Sequence, residues 1–230
     1  MPELRSMLVD NCSQSRDSGP MADVAGGMQE DATTERQSVK PAKGKKKGGL
    51  RRDQGCVVRD TITALALCHN VTPTFPSPEN KQIVEYQASS PDEIALVKFA
   101  ESLDMRLMER DQNEITIQNA VKNTEKYSIL ANFPFSSDTK RMGIVVRHNN
   151  SGRIIFYLKG AETVMKNKVR PNQRVVIDES CDNLANEGLR TLVISQKLLQ
   201  EEQFNEWQKK YDKARAELVD REQRVAECIE

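Results

Sequence analysis

The sequence predicts an α+β domain built on a mainly antiparallel sheet, with helices at the ends of the sheet and on one of its faces. Strand-like segments at 114–118, 126–133, 142–147 and 153–158 follow one another through short connections, which is typical of antiparallel neighbours. Apolar residues recur at helical spacing in residues 57–69. The sequence contains no G-x-G-x-x-G fingerprint, so we do not expect a parallel dinucleotide-binding fold.

The composition narrows the class of protein. The 230 residues include 34 basic and 34 acidic side chains, so no overall field favours nucleic acid as a partner. The five cysteines form no C-x-x-C pair, which indicates reduced thiols. Only His69 and His148 can supply imidazole, and neither has a second ligand at metal spacing. We therefore expect no metal site built from protein side chains.

Residues 1–55 are predicted to be disordered, and the folded domain is predicted to span residues 56–230. The first segment is poor in large apolar residues, so it can bury little surface against the entropy cost of ordering. We interpret its basic run, residues 40–52, as a solvated linker. The alternative is an electrostatic tether to anionic lipid or nucleic acid, although no aromatic residues interleave the lysines.

Local signals predict the remaining elements. Prolines break regular structure, the Asn-Asn-Ser-Gly run at 149–152 predicts a hairpin turn, and Gly188 predicts the end of a helix. In chain order we expect a helix at 57–69, a loop with Pro73, Pro76 and Pro78, a strand at 83–88, a helix from 90 to about 103, the four strands named above, helices at 162–168 and 178–186, a strand at 190–195 and a helix at about 201–229.

The helix that begins near residue 90 carries a capping signal. Ser90 can cap its first turn, Pro91 fits the first helical position, and Glu93 stands where a capping-box acid would. Together with Asp92, these three residues form the segment Ser-Pro-Asp-Glu.

The last predicted helix has an aromatic stripe. Phe204, Trp207, Tyr211, Ala214 and Leu218 recur at spacings of three and four, with charged residues between them. We expect the stripe to pack on its own sheet, because the apolar seam is too short for a coiled coil. The alternative is a surface that binds a partner protein, and the burial of the aromatic side chains separates the two.

One strand ends in a pair of residues suited to a phosphate-bearing ligand. The buried run at 154–158 is followed by Lys159, which supplies a positive charge, and Gly160, which lets a ligand approach the backbone. The alternative is an ordinary strand end followed by a turn.

Four segments together resemble a known family. They are S-P-D-E-I-A-L-V at 90–97, F-P-F-S-S-D-T-K-R-M at 133–142, K-G-A-E at 159–162 and E-G-L-R-T-L at 187–192. Their sequence and order resemble the nucleotide-binding domain of P-type ATPases, in the forms of the type-IV branch, the phospholipid flippases. The run A-L-A-L-C-H-N-V-T-P at 64–73 resembles the Golgi and endosomal subgroup. The resemblance covers residue 57 to the C-terminus and implies the fold of that domain.

The resemblance implies roles for particular residues in binding ATP. Phe135 would stack on the adenine ring, Glu93 would accept a hydrogen bond from the adenine amino group, and Lys159 would line the adenine and phosphate pocket. Arg190 would reach the phosphates through its planar fork. The resemblance also assigns five further residues to the ATP site: Lys140, Met142, Asp92, Gly160 and Gly188. The two glycines would keep the pocket wall thin.

Each of the principal residues also has a purely structural alternative. Phe135 can be a core aromatic at a strand end, and Glu93 can be a capping-box acid. Lys159 can be an exposed strand-end lysine, and Arg190 can belong to a surface ion pair of little energetic weight.

Motifs that the family uses for chemistry are absent from this sequence. It lacks the D-K-T-G-T string of the phosphorylated aspartate, the phosphorylation-domain motifs and the actuator loop. The resemblance therefore implies a chain that binds ATP, with Mg²⁺ arriving on the nucleotide, but forms no aspartyl phosphate and does not turn over alone. The implied partners are the phosphorylation and actuator domains of a membrane-embedded parent pump, on the cytosolic face of a Golgi or endosomal membrane. We expect the domain itself to be monomeric.

Overall fold

The computed structural model of the protein describes residues 1–14, 53–75, 84–217 and 219–229. In chain order its elements are α1 (Pro2–Gln14), α2 (Gln54–Leu67), β1 (Thr72–Thr74), β2 (Glu85–Gln87), α3 (Pro91–Ser102), β3 (Arg106–Arg110), β4 (Glu114–Gln118), β5 (Thr124–Phe133), β6 (Arg141–His148), β7 (Ile154–Gly160), α4 (Glu162–Met165), α5 (Pro171–Asn186), β8 (Val193–Leu199), α6 (Glu201–Ala216) and α7 (Arg221–Ile229).

A six-stranded sheet in the order β3-β4-β5-β6-β7-β8 forms the centre of the protein. Every pair of neighbouring strands is antiparallel, and each strand lies beside the next one in the chain. The predicted α+β class with a mainly antiparallel sheet is confirmed. The predicted hairpin between β6 and β7 is also present, with Gly152 at a φ of 68° and its N–H donating to the carbonyl of His148 at 2.8 Å.

Helices cover both faces of the sheet, whereas the sequence predicted helices at its ends and on one face. Successive strand residues point to opposite faces, and along β6 Met142, Ile144 and Val146 join one apolar cluster while Val145 joins another. The first cluster includes residues of α1, α2 and α3, and we call this side the α2–α3 face. The second includes Phe204 of α6, and we call this side the α6 face.

Two strands escape the sequence patterns. In β3 only Leu107 is buried, and a shift of register between Leu107 and Glu109 interrupts the alternation that would identify a strand. Pro73 predicted a loop, but it lies in β1 and pairs with Tyr86 of β2. A proline is tolerated there because a two-stranded sheet consists only of edge strands. Pro76, Pro78 and the first residue of the strand predicted at 83–88 lie outside the described residues.

The N-terminal segment differs from its predicted disorder over Pro2–Gln14, which forms α1. Leu8 is fully buried and Cys12 nearly so in the cluster shared with α2. Arg5 fastens the helix to the end of α3 by donating from Nη2 to the carbonyl of Ser102 at 2.7 Å. Residues 15–52, including the basic run, lie outside the described residues, so their disorder stays a prediction.

The start of helix α5 and the start of strand β8 differ from prediction. The sequence predicted a helix at 178–186, but α5 begins at Pro171. The first turns of α5 were missed because they expose Val175 and Val176 and show no apolar periodicity. Its end is as predicted. Gly188 adopts a φ of 77°, and the N–H groups of Gly188 and Leu189 donate to Ala185 and Leu184 in a Schellman motif. Strand β8 starts at Val193, so the strand predicted at 190–195 begins too early.

The helix predicted at 201–229 is two helices. Glu217 is extended, and Asp220 has a φ of 53°, a left-handed conformation that Asp tolerates better than most residues. Helix α7 then folds back, so that Trp207 Nε1 donates to the carbonyl of Cys228 at 2.8 Å. Leu218 lies outside the described residues. None of the described helices combines the length and apolar character that crossing a bilayer requires.

Candidate functional site

The predicted site residues converge on one end of the sheet. Arg141 at the start of β6 pairs with Gly160 at the end of β7, and Gly160 pairs with Val193 at the start of β8. The β5–β6 loop, the residues after β7 and the connection before β8 therefore all meet at this end. The first turn of α3 joins them from the α2–α3 face through Glu93.

Glu93 and Lys159 form an ion pair that is almost buried. Lys159 Nζ lies 3.0 Å from Glu93 Oε1, and the two side chains are 8% and 12% exposed. Lys159 alternates with Leu158 along β7 and lies directly opposite Met142 of β6, so it points toward the α2–α3 face. This position contradicts the alternative of an exposed strand-end lysine.

The start of α3 uses its polar residues differently from the capping prediction. Pro91 occupies the first turn as expected, but the Ser90 side chain makes no capping hydrogen bond. The predicted cap is therefore wrong. Glu93 faces Lys159 across the interface with the sheet, which removes the capping-box alternative for its carboxylate.

Two neutral groups lie beneath this pair at the end of α2. The Cys68 thiol donates to the carbonyl of Met142 at 3.8 Å, and burial raises its pKa to about 12. His69 donates from Nε2 to Ala66 at 2.8 Å and accepts at Nδ1 from the N–H of Val71 at 3.0 Å. Burial first, and then the nearby Arg110, lower the pKa of His69 to about 3. Neither group is therefore ready to act as a nucleophile or as a base that changes protonation near pH 7.

Phe135 is an exposed aromatic ring in the β5–β6 loop. Its exposed fraction is 60%, whereas Phe133, two residues earlier, is 9% exposed. The alternative of a core aromatic applies to Phe133 and not to Phe135. The N–H of Lys140 closes the loop by donating to the carbonyl of Ser136 at 2.8 Å, with Lys140 at a φ of 49°.

Gly160 is required where β7 meets the β5–β6 loop. A Cβ atom there would lie 2.6 Å from the carbonyl oxygen of Lys140 and 2.8 Å from Cβ of Arg141. The N–H of Ala161 also donates to Lys140 at 3.0 Å. Gly160 thus keeps the loop that carries Phe135 against the strand that carries Lys159.

Met142 lies in the core rather than at the surface of the site. It is 1% exposed and packs in the cluster on the α2–α3 face. The resemblance assigned it to the ATP site, but here it supports the site from below, beside Lys159.

Arg190 and Asp92 pair at the solvent edge of the site. Arg190 Nη1 donates to Asp92 Oδ2, and the two side chains are 80% and 53% exposed. This geometry agrees with the alternative of a surface ion pair. The pair links the first turn of α3 to the connection before β8, and Arg190 also borders an apolar groove of about 490 Å³ between α5 and β8.

The aromatic stripe of α6 is packed inside the protein. Phe204 is 3% exposed, Trp207 stacks on Tyr211 with ring centroids 4.8 Å apart, and both rings meet Phe133 edge-on at 5.8 and 5.7 Å. Such edge-to-face pairs are favourable beyond the area they bury. The expectation that the stripe packs on its own sheet is confirmed, and the alternative of a partner-binding stripe is removed.

Sequence reasoning did not assign Cys68, His69 or Arg110 to the surroundings of the site. The run at 64–73, which contains Cys68 and His69, was part of the resemblance, but the resemblance gave its polar residues no role. Within the described ranges, no group of three or more His, Cys, Asp or Glu side chains is arranged to hold a metal ion.

Comparison with known proteins matches the same region. The family model of the P-type ATPase cytoplasmic domain N matches residues 57–226. Phospholipid-transporting ATPase NEO1 of Saccharomyces cerevisiae is 44% identical over 180 residues, which cover 78% of this chain and 15% of that protein. Phospholipid-transporting ATPase neo1 of Schizosaccharomyces pombe is 46% identical over 156 residues, covering 68% and 14%. "Probable phospholipid-transporting ATPase IIB" of Danio rerio is 35% identical over 246 residues, covering 100% and 21%.

These matches confirm the resemblance drawn from the four motifs. They also show that the chain spans about a fifth or less of the length of these relatives.

Proposed function

Because this chain belongs to the family of the P-type ATPase cytoplasmic domain N, we propose that it binds ATP at the end of the sheet where β6, β7 and β8 meet. It holds the nucleotide for phosphoryl transfer to an aspartate on another domain. The observation that carries the proposal is an exposed Phe135 ring on the loop that adjoins the strand of the nearly buried Glu93–Lys159 pair. A large exposed ring beside desolvated polar groups suits a flat base with polar edges.

The Glu93–Lys159 pair has hydrogen-bonding capacity left for a base. Lys159 uses only Oε1 of Glu93, and Oε2 accepts no hydrogen bond from a described residue. Oε2 can therefore accept from the exocyclic amino group of adenine. Lys159 holds the carboxylate in place and keeps two further N–H donors for the nucleotide.

Phe135 supplies the stacking surface. Stacking of an aromatic side chain on a base contributes about 1–3 kcal/mol in nucleic-acid complexes, a reasonable scale for this ring. Because the ring is already exposed, binding adenine removes apolar surface from water without first unpacking a core.

Arg190 can bind the phosphates of ATP by exchanging its present carboxylate partner for a phosphate group. Its partner Asp92 is half-exposed, and exposed ion pairs contribute only about 0–1 kcal/mol, so releasing Asp92 costs little. The freed guanidinium offers a planar fork to phosphate oxygens. Lys140, exposed on the β5–β6 loop, adds a second positive charge at this end of the sheet.

ATP supplies the γ-phosphoryl group, and Mg²⁺ arrives with it. The contribution of this chain is to orient the nucleotide, since phosphoryl transfer depends largely on positioning and electrostatic stabilisation. We extend the proposal to the parent protein as a phospholipid-translocating pump of Golgi or endosomal membranes. Its phosphorylation and actuator domains are the partners in cis, and this domain is monomeric.

Calorimetric titration of the folded chain with ATP and with inosine triphosphate tests the proposal. Inosine carries an oxygen in place of the adenine amino group, so Glu93 Oε2 would face an acceptor instead of a donor. We expect saturable ATP binding and at least about tenfold weaker binding of inosine triphosphate, as buried polar contacts discriminate strongly.

The matched variant is Glu93→Gln, in which the side-chain amide can donate to the inosine oxygen. We expect it to reduce the preference for ATP. Absence of heat with millimolar ATP on protein shown to be folded by circular dichroism would contradict the proposed function.

A further inference from the structure

A separate polar cleft lies on the α2–α3 face. Its volume is about 410 Å³, and it is formed by the connection between α2 and β1, the turn between β3 and β4, and strand β5. None of the residues proposed for ATP lines it. Ile129 of β5 lines the cleft with an apolar side chain and packs against the core of this face.

Arg110 is the positive charge of this cleft. Among the described residues, its only hydrogen bonds run from Nη1 to the carbonyl of Leu67 and to Nδ1 of His69, each at a long 3.4 Å. His69 Nδ1 already accepts from the N–H of Val71 at 3.0 Å, so it can give Arg110 little. The Nε–Nη2 edge of the guanidinium has no partner among the described residues. This edge presents two parallel N–H groups, the geometry that binds an oxyanion bidentately.

The polar side chains around Arg110 are also without protein partners. In the described part of the chain, the side chains of Asn70, Thr72, Gln112 and Asn132 make no hydrogen bond. Amides and a hydroxyl can both donate to and accept from a ligand. Four such groups around one unmatched guanidinium make a recognition surface for a small polar anion.

Two carboxylates near Arg110 are engaged elsewhere. Asp111 lines the cleft, but its Oδ1 accepts from the N–H groups of Asn113 and Glu114 at 2.7 Å each, which lowers its pKa. Glu93 interacts with Arg110 only at longer range and forms its ion pair with Lys159. Arg110 therefore has no carboxylate within ion-pair distance in the described ranges.

We propose that this cleft binds a small oxyanion, a phosphate or a carboxylate group, through the Nε–Nη2 edge of Arg110, with Asn70, Gln112 and Asn132 hydrogen-bonding its remaining oxygens. The site is distinct from the proposed ATP site. It stands on the unmatched donors of the cleft and does not depend on nucleotide binding.

Arg110 also has a structural role that the test must separate. It lies near the C-terminal end of α2 and donates to a terminal carbonyl, a position that favours a cation. If that were its whole role, replacing it would change stability and leave anion binding unaffected.

The test is a titration of the ¹⁵N-labelled chain with inorganic phosphate and, separately, with acetate, at constant ionic strength. The resonances to follow are Arg110 Nε–H and the side-chain amides of Asn70, Gln112 and Asn132. We expect saturable shifts confined to this cleft, with a dissociation constant on the order of millimolar. The anion that saturates at lower concentration identifies the class of ligand, and both are oxyanions of the proposed kind.

Arg110→Gln should weaken binding at least about tenfold. The matched control Arg153→Gln removes an exposed arginine from the β6–β7 hairpin and should leave binding within twofold. Asn132→Ala, at an exposed position, should weaken binding about threefold by removing one hydrogen-bonding group. It decides the question if Arg110→Gln does not fold.

Three results would overturn the proposal. One is unchanged binding in Arg110→Gln or, if that variant is unfolded, in Asn132→Ala. Another is a shift spread over surface lysines, which indicates an adventitious ion only. The third is loss of the phosphate response when the chain is saturated with ATP, because the cleft would then belong to the nucleotide site.

Discussion

The two faces of the central sheet are built from different chemistry. On the α6 face, the ring of Trp207 contacts those of Phe133, Phe204 and Tyr211. The α2–α3 face holds an equally buried apolar cluster, but polar and charged side chains are set into it: Cys68, His69, Glu93, Arg110 and Lys159. Burying polar groups costs stability unless they find partners. The α6 face therefore stabilises the domain, while the α2–α3 face also buries polar groups that can bind ligands.

Phe133, the last residue of β5, and Phe135, in the β5–β6 loop, show a similar division between packing and binding. The two rings are two residues apart, yet one is 9% and the other 60% exposed. Phe133 contacts three other rings, those of Phe156, Trp207 and Tyr211. Identical side chains thus have separate roles, which makes substitutions at the two positions informative.

The largest effect should come from Phe204→Ala on the α6 face. Removing a buried phenylalanine costs about 3–5 kcal/mol, and Phe204 is 3% exposed. Urea unfolding followed by the fluorescence of Trp207, the only tryptophan, measures the loss. We expect ATP affinity to stay within twofold under conditions where the variant is folded. A large change in affinity would break the division between the faces.

Lys159→Met should reduce both stability and ATP binding. It leaves the nearly buried Glu93 without its partner, a change worth about 3 kcal/mol at the low end of the range for buried pairs. The sequence alone does not reveal this pair, because its two residues lie 66 positions apart.

Adding Glu93→Gln to Lys159→Met sharpens the result. The double variant has no uncompensated charge, so we expect most of the stability to return while ATP binding stays weak. Recovery of both properties would argue against a direct role of the pair in binding.

His69 should make the domain less stable as the pH falls. Its folded-state pKa of about 3 lies below the usual 6.5, so below pH 6.5 the unfolded chain binds a proton that the folded chain excludes. The free energy of unfolding should fall by about 1.4 kcal/mol per pH unit from this group until the pH approaches 3.

The comparison for this prediction is the slope of stability against pH in His69→Gln. The variant should lose less stability between pH 6 and 4 than the parent chain. His148, whose pKa burial also lowers, remains in both proteins. Equal slopes would mean that His69 is protonated in the folded state.

Phe135→Ala should have the smallest effect on stability and a selective effect on binding. The ring is mostly exposed, so the free energy of unfolding should change by less than about 0.5 kcal/mol. Loss of stacking should weaken ATP binding by about 1–2 kcal/mol, or roughly 5- to 30-fold. Calorimetry of Phe135→Ala and Phe204→Ala should show opposite effects, because the first variant should lose ATP affinity and the second should lose stability. A destabilised Phe135→Ala with normal ATP binding would contradict this expectation.

The sequence predicts the parts of the fold that have regular periodicity. Strands β4 to β7 alternate or form apolar runs, and Gly152 and Gly188 mark a turn and a helix end where the structure has positive φ. Strand β3 was missed because a bulge interrupts its alternation. Helix α1 was missed because its order depends on burying Leu8 in the cluster shared with α2, a contact that no local pattern reveals.

The candidate site could be predicted as a set of residues but not as an arrangement. Motif resemblance identified Glu93, Phe135, Lys159 and Arg190, yet it could not give their burial. The pairings of Glu93 with Lys159 and of Asp92 with Arg190 join residues 66 and 98 positions apart in the chain. Such pairs depend on how α3 docks on the sheet, which is a tertiary property.

The most direct measurement is a chemical-shift map of ATP binding on the ¹⁵N-labelled chain. We expect saturable shifts at the start of α3, in the β5–β6 loop around Phe135 and at residues 159–161, with little change around Phe204 and Trp207. The absence of saturable shifts, or shifts concentrated on the α6 face, would contradict it.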